Sequence, residues 1–486
     1  MKRIPIVLLF PVACYLLCYL PPAAGQAPGA APPQSLAGVV RLNKVPVSNE
    51  VLKVKLPRPV EKQLSNGIKL LVVESHRVPN ISLTIRIPTG DLRNPPDLPG
   101  LADATAALIR LGTKTSNSQQ IAEKLAELGA SLNFGSGEDN GTIGVSAMTE
   151  NFDAALALLT DVLLNPTFPQ DEFDKWKNRQ KAQLEQLKSQ PGFLASEEMY
   201  KILYPDDARK TIRVTAASLD KMTRDDVIAH YKKYYVPSGQ WAGIAGDITP
   251  AEAVAKLEKA LGTWKGGPVA RVTMPMPGPI AEKKVYFIAR PNSVQTVLMV
   301  TNHAIARDSP DYIQCQVMNR VLGAGPSSRL FRNVREEKGY TYGIGSSFAA
   351  SRVINFFAAQ TSVRTDVTAP ALTEILKEFS DIRDRAVPPD ELADAKSAIV
   401  ASFVLGLESS SAVLGRWMEQ REYGFPEDYW DTYSQKVMAV SAADVQDVAK
   451  KYVPVDNAQI IAVGDPKVAD LLAKFGTVTS VTPDNN

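Results

Sequence analysis

Apolar residues first recur with a strand period around Asn66-Gly67. Lys62-Gln63-Leu64 and the run Ile68 to Val73 flank that Asn-Gly step, a combination that predicts a β-hairpin. Ile81, Leu83, Ile85 and Ile87 then alternate with polar residues, as a strand buried on one face does. Residues 100 to 111 are rich in Ala and Leu and read as a buried helix. Ser116-Asn117-Ser118-Gln119 has the spacing of a capping box and starts a second helix through Ile121, Leu125 and Leu128 to Gly129. Strands are expected around Ser131 to Ser136 and Thr142 to Met148, with Asp139-Asn140-Gly141 as the turn, and amphipathic helices over Phe152 to Leu164 and Asp171 to Lys188. Strands and helices alternate in blocks, so the predicted class is α+β with mostly antiparallel pairing.

The pattern then repeats. Leu125 to Ser136 overlays Arg335 to Ser346, and Phe168 to Glu172 overlays Val387 to Glu391. Tyr235-Val236-Pro237 returns as Tyr452-Val453-Pro454, and Gly246-Asp247 as Gly464-Asp465. Four matches in one order, at offsets of 210 to 219, predict two related lobes of about 200 residues each. They are expected over 61–265 and 284–478, joined by a Pro/Gly-rich linker over 266–283 and facing each other across a cavity.

Composition narrows the function classes. The 486 residues are 45% hydrophobic and 22% charged, an ordinary globular balance. With 54 basic against 52 acidic residues the net charge is +2, too weak a field to attract nucleic acid or anionic lipid. Met1-Lys2-Arg3, an apolar run from Ile4 to Leu20 broken by Pro11, and Pro21-Pro22-Ala23-Ala24-Gly25 read as a signal peptide over 1–25. The mature chain is therefore expected to be exported, periplasmic or secreted, with no stable membrane insertion after cleavage; a retained anchor or lipidation is the alternative. Residues 26–60 are rich in Pro, Ala and Gly and read as an extended tether. Cys14 and Cys18 leave with the signal, so Cys315 remains alone and no internal disulfide is expected.

Candidate chemistry sits in two places. Gly100-Leu101-Ala102 opens the alanine-rich helix and Gly112-Thr113 closes it, with Gly90 upstream. This frame resembles that of the pitrilysin/insulinase zinc metallopeptidases, where it carries H-x-x-E-H. Histidines four apart share a helix face and hold one zinc ion, while the Glu between them polarises its water. Here Asp103 and Ala107 stand at the histidine places and Ala106 at the glutamate place. The resemblance puts the third ligand, a Glu on a later helix, near Glu185. One or two carboxylates do not make the three-ligand open site that catalytic zinc needs, so no metal is expected in this chain. Its histidines, His76, His230 and His303, are far apart in sequence.

In the second lobe, Ser328-Arg329-Leu330 leads into Arg335-Glu336-Glu337-Lys338-Gly339-Tyr340-Thr341-Tyr342. This resembles the S-R-L and R-E-x-x-G-x-x-Y signature of the C-terminal domain of the same family. The resemblance implies that Arg335 and Tyr342 reach into an active cavity, bind peptide substrate and steady the reacting carbonyl. Gly339 is expected to end a helix in the left-handed conformation, with Arg335 on its last turn and Tyr342 opening a strand; a solvated helix end is the plainer alternative. Their first-lobe counterparts, Leu125 and Leu132, can only pack. Family members form hetero-oligomers in which one subunit carries the zinc motif and the other the Arg/Tyr pair. The resemblance therefore implies a non-catalytic subunit, inactive alone, that binds peptides and completes the cavity of an H-x-x-E-H-bearing zinc endopeptidase partner. A structural or assembly protein of the same fold, and a stand-alone peptide-binding protein, are the alternatives.

Overall fold

The computed structural model describes residues 54–482, apart from 212, 238, 275 and 350. The expected signal peptide lies outside the described residues, as does most of the expected tether. The first sheet comprises β1 (Val60–Gln63), β2 (Lys69–Glu74), β3 (Asn80–Ile87), β4 (Ser131–Ser136), β5 (Gly141–Met148) and β6 (Trp241–Gly246), in the order β1-β2-β6-β3-β5-β4. The second comprises β7 (Lys284–Ala289), β8 (Gln295–His303), β9 (Thr341–Phe348), β10 (Phe356–Arg364), β11 (Gln459–Gly464) and β12 (Thr477–Val481), in the order β12-β7-β11-β8-β10-β9.

Five of the six places correspond in order and in pairing sense. β2 and β6 run parallel, as do β7 and β11, and the three remaining ladders of each set are antiparallel. The sixth strand differs, because β1 forms a hairpin with β2 whereas β12 arrives from the far end of the chain and pairs parallel with β7. Mixed sheets with mainly antiparallel pairing, covered by helices, make an α+β fold of two lobes. In the first lobe the helices that matter for the site are α1 (Leu101–Leu108), α2 (Ser118–Glu127), α3 (Phe152–Leu164) and α4 (Gln170–Lys188).

Each lobe also lends a helix to the other. Helix α5 (Pro191–Leu203), from the first half of the chain, lays Leu194, Met199 and Leu203 on Val297 and Met299 of β8 and on Ile461 and Val463 of β11. In return, the helix Ser410–Tyr423 lays Val413, Leu414, Trp417 and Met418 on Leu71, Val73 and Ala245 of the first sheet. The approach is close: a Cβ on Gly243 of β6 would stand 2.7 Å from both Leu414 and Met418 side-chain atoms. The central strands are thus buried on both faces, which is why β2 and β11 read as unbroken apolar runs rather than alternating ones.

The end of the expected tether is not extended into solvent. Leu56 is buried against the exchanged helix, the Trp417 indole donates to the Pro57 carbonyl at 2.8 Å, and Arg58 pairs with Asp431 at 2.5 Å. Leu56 and Val54, two apolar residues in a Pro-rich stretch, pack on the apolar cluster around the exchanged helix, a contact that composition does not reveal. Polar links add to the seam between lobes, with Arg352 reaching Asp139 at 3.1 Å and Asn355 donating to Glu138 at 3.2 Å.

Candidate functional site

Gly100 has φ 82°, and a Cβ there would stand 2.6 Å from the Val214 backbone nitrogen, so only glycine lets that loop lie against the start of α1. It offers no capping side chain. The Asn94 side-chain oxygen instead accepts the Ala102 N–H at 2.8 Å. Asp103, Ala106 and Ala107 then face a cavity of about 450 Å³ between α1, β4 and α4. Gln180 and Gln183 line it from α4, and Asn133 to Ser136 from β4. Because β4 ends its sheet, its outer N–H and C=O groups have no ladder partner beside this cavity.

Asp103 is the one carboxylate lining the cavity, and among the described residues it has no ion-pair partner. Its side chain opens to water, yet the concave walls desolvate it and push its pKa up to about 6. Burial, reinforced by the charge of Asp103, pushes Asp91 up to about 7. Ser136 Oγ and Arg213 Nη1, also at this cavity, are buried without a hydrogen-bond partner.

The donor set does not fit catalytic zinc. Ala106 and Ala107 have nothing to coordinate with, and the wall of α4 presents amides. Glu185, the expected third carboxylate, does not line the cavity; it is exposed and pairs with Lys188 at 3.3 Å. Gln183 occupies the wall instead. The histidines are engaged elsewhere: His76 between Asp247 and Glu74, His230 on the Thr89 hydroxyl at 2.7 Å, and His303 on the Leu203 carbonyl at 2.6 Å. Among the described residues no three His, Cys, Asp or Glu side chains converge as a metal would require.

Arg335 and Tyr342 do lie together. Residues Phe331–Glu337 form a π-helical turn, and the Lys338 N–H bonds back to the Asn333 carbonyl at 3.0 Å. Gly339, at φ 61°, then turns the chain into β9. Arg335 Nε donates to the Tyr342 backbone carbonyl at 3.0 Å, and its guanidinium lies 4.6 Å from the Phe331 ring centroid and 5.8 Å from that of Tyr342. Tyr342 is 93% exposed, and among the described residues its hydroxyl makes no hydrogen bond. Neither residue lines the cavity at α1.

The orientation of Tyr342 has a local cause. Thr361 pairs with Ile344 and Val363 with Thr341, so Tyr342 and Gly343 together oppose Ser362. This bulge breaks the alternation that would otherwise send Tyr342 inward with Ile344. β4 pairs with β5 without such a shift, and Leu132 is buried there. Leu125, its companion, packs against the same core. Gln183, the bulge and the hydroxyls of Thr341 and Thr361 that bind its backbone escaped sequence reasoning; the one available signal was Gly343 directly after Tyr342 in a strand.

Two family models match consecutive stretches, "Insulinase (Peptidase family M16)" over residues 69–214 and "Peptidase M16 inactive domain" over residues 221–399. The chain belongs to the insulinase family. Among relatives within it, the "Non-peptidase homolog YmxG" of Helicobacter pylori is 23% identical over 404 residues, covering 82% of this chain and 92% of that one. An "Uncharacterized zinc protease" of Rickettsia bellii is 22% identical over 403 residues, covering 80% and 93%. The crystal structure of a peptidase M16 inactive domain from Pseudomonas fluorescens superposes with a TM-score of 0.78 at 26% identity, covering 84% of this chain and 98% of that one. With Asp103, Ala106 and Ala107 at the motif positions, this insulinase-family chain is a non-catalytic homologue.

Proposed function

We propose that the chain is the non-catalytic subunit of an exported zinc endopeptidase, holding peptide substrate and completing the cavity of a partner that carries H-x-x-E-H and the zinc. The observation that carries this reading is the pairing of a cavity stripped of metal ligands with an Arg335/Tyr342 pair displayed at the edge of the opposite sheet. An extended peptide can add to the open edge of β4 through main-chain hydrogen bonds, beside a cavity that Asp103 lines together with Arg110 and Arg213. Arg335 keeps spare N–H donors, and the Tyr342 hydroxyl has no partner among the described residues, so both are supplied for a carbonyl brought by another molecule. Export rests on the basic, apolar and small-residue succession of residues 1–25.

Co-expression with a homologue bearing an intact H-x-x-E-H tests the reading. The expected result is a complex more active on unstructured peptides than either subunit. Arg335→Ala and Tyr342→Phe are each expected to cost about a hundred- to a thousandfold in turnover, as losing one oxyanion donor does. A partner that is fully active alone and never co-purifies contradicts the proposal. Full activity in both variant complexes would favour an assembly protein of the same fold.

A further inference from the structure

A second cavity, of about 300 Å³, lies within the helical layer of the second lobe. It is bounded by the helices Tyr312–Leu322, Pro389–Leu405, Ser410–Tyr423 and Tyr429–Ala439. Three guanidinium groups line it, from Arg307, Arg320 and Arg416, against a single carboxylate, that of Glu419.

The three arginines are not equivalent. Arg307 is buried and fully engaged: Nε and Nη2 reach Glu419 Oε1 at 2.8 and 2.7 Å, Nη1 donates to the Tyr429 hydroxyl at 3.2 Å, and the group lies 4.0 Å from the Tyr312 ring centroid. That pairing uses up the charge of Glu419. Arg416 meets the other Glu419 oxygen only at 3.4 Å and otherwise lies over Trp430, 4.9 Å from its centroid. Arg320 has no carboxylate partner among the described residues. One of its nitrogens donates to the Ala324 carbonyl at 2.7 Å, and Nε is buried with no partner at all.

Two positive charges and one unmet donor therefore line a small, half-enclosed space, an arrangement that costs free energy until an anion enters. Guanidinium forks match the oxygens of a carboxylate or a phosphate. Phe403 and Trp430, both nearly fully buried, stack on each other beneath Arg416, so the free surface of the space is mainly polar. The volume falls at the lower end of that of small-molecule sites.

We propose that this cavity binds a small oxyanion, a phosphate or a carboxylate, held between Arg320 and Arg416. The site is independent of the peptide-binding role proposed above. Its occupant braces the Ser410–Tyr423 helix, which bears Arg416 and Glu419 on one side and covers the first sheet with the other.

Calorimetric titration of the full chain with inorganic phosphate, phenyl phosphate and benzoate tests the proposal. At least one of the three is expected to bind and to raise the melting temperature, and comparison of phosphate with benzoate shows which oxyanion the forks prefer. Arg320→Gln and Arg416→Gln should each weaken the bound anion about tenfold or more, as removal of a charged hydrogen-bond donor does. Should Arg320→Gln fail to fold by circular dichroism, Arg416→Gln decides. No saturable binding of any of the three up to about 10 mM would overturn the proposal. So would affinities unchanged in the variants.

Discussion

The Thr361 hydroxyl donates to the Thr341 hydroxyl at 2.8 Å, directly beneath the bulge that turns Tyr342 outward. Thr341 Oγ1 also takes the Gly343 N–H at 3.1 Å, and both hydroxyls lie within 2.9 Å of the Gly343 carbonyl oxygen. Two buried or half-buried threonines thus hold the extra residue in place. Thr361→Val keeps the side-chain shape and removes the bonds that the Thr361 hydroxyl makes to Thr341 and Gly343, at a cost of about 1 kcal/mol. Tyr342 is expected to lose exposure as the bulge relaxes, so its nitration should slow. Unchanged unfolding midpoints together with an unchanged nitration rate would show that the threonines do not set its direction.

Gly243 controls how closely the exchanged helix lies on the first sheet. Gly243→Ala introduces a methyl 2.7 Å from Leu414 and Met418, an overlap expected to cost about 1–3 kcal/mol. Adding Leu414→Ala makes room for it, so the two costs should not add. A double-mutant cycle in urea measures this, and strict additivity would mean that the helix rides away from β6 without strain.

Rebuilding the metal centre distinguishes the two candidates for its third ligand. Asp103→His, Ala106→Glu and Ala107→His restore the helix motif, but Glu185 faces solvent and cannot close the site. The triple variant is expected to hold zinc weakly, and addition of Gln183→Glu to tighten it, because Gln183 lines the cavity wall. Metal analysis after dialysis checks the order. Equal zinc retention with and without Gln183→Glu would refute the placement of that wall.

The acidic group beneath the cavity gives a pH dependence of known sign. Asp91 titrates at about 7 in the fold against 3.8 in its ordinary state, chiefly through burial. A raised carboxyl pKa means that the folded state holds the proton more tightly, so stability is greatest below the unfolded value and is lost as pH rises through about 7. Asp91→Asn cannot ionise. Its stability relative to the wild type is expected to climb from acid pH to about neutrality and then level off. Urea unfolding at acid, intermediate and alkaline pH measures the difference, and a pH-independent difference would sink the assignment.

Much of the first lobe was legible because its signals are local. The Asn66-Gly67 step makes the β1/β2 hairpin, the capping box of α2 falls on Asn117 and Gln120, one residue later than the Ser116–Gln119 spacing suggests, and alternation in β3 points its isoleucines inward. The site was harder to read for physical reasons. Helix α4 carries polar residues almost all round and buries only Phe173, Trp176 and Leu184, so its rotation, which selects Gln183 over Glu185, leaves little trace in the pattern. The bulge in β9 depends on pairing with β10, whose register no short window reveals. The continuous run Leu70 to Val73 signals two covered faces, but not that the second cover is a helix more than three hundred residues later.

That cover also imposes an order of events on folding. While the chain is being made, Leu71, Val73 and Ala245 lack most of their apolar cover until the Ser410–Tyr423 helix has been synthesised, and α5 must wait for β8 and β11. Closing loops of this length is slow, and an uncovered sheet face is sticky meanwhile. Neither half can mature as an autonomous unit, so a chain interrupted near the linker leaves a bare apolar sheet face, a substrate for chaperones or for aggregation rather than a working fragment.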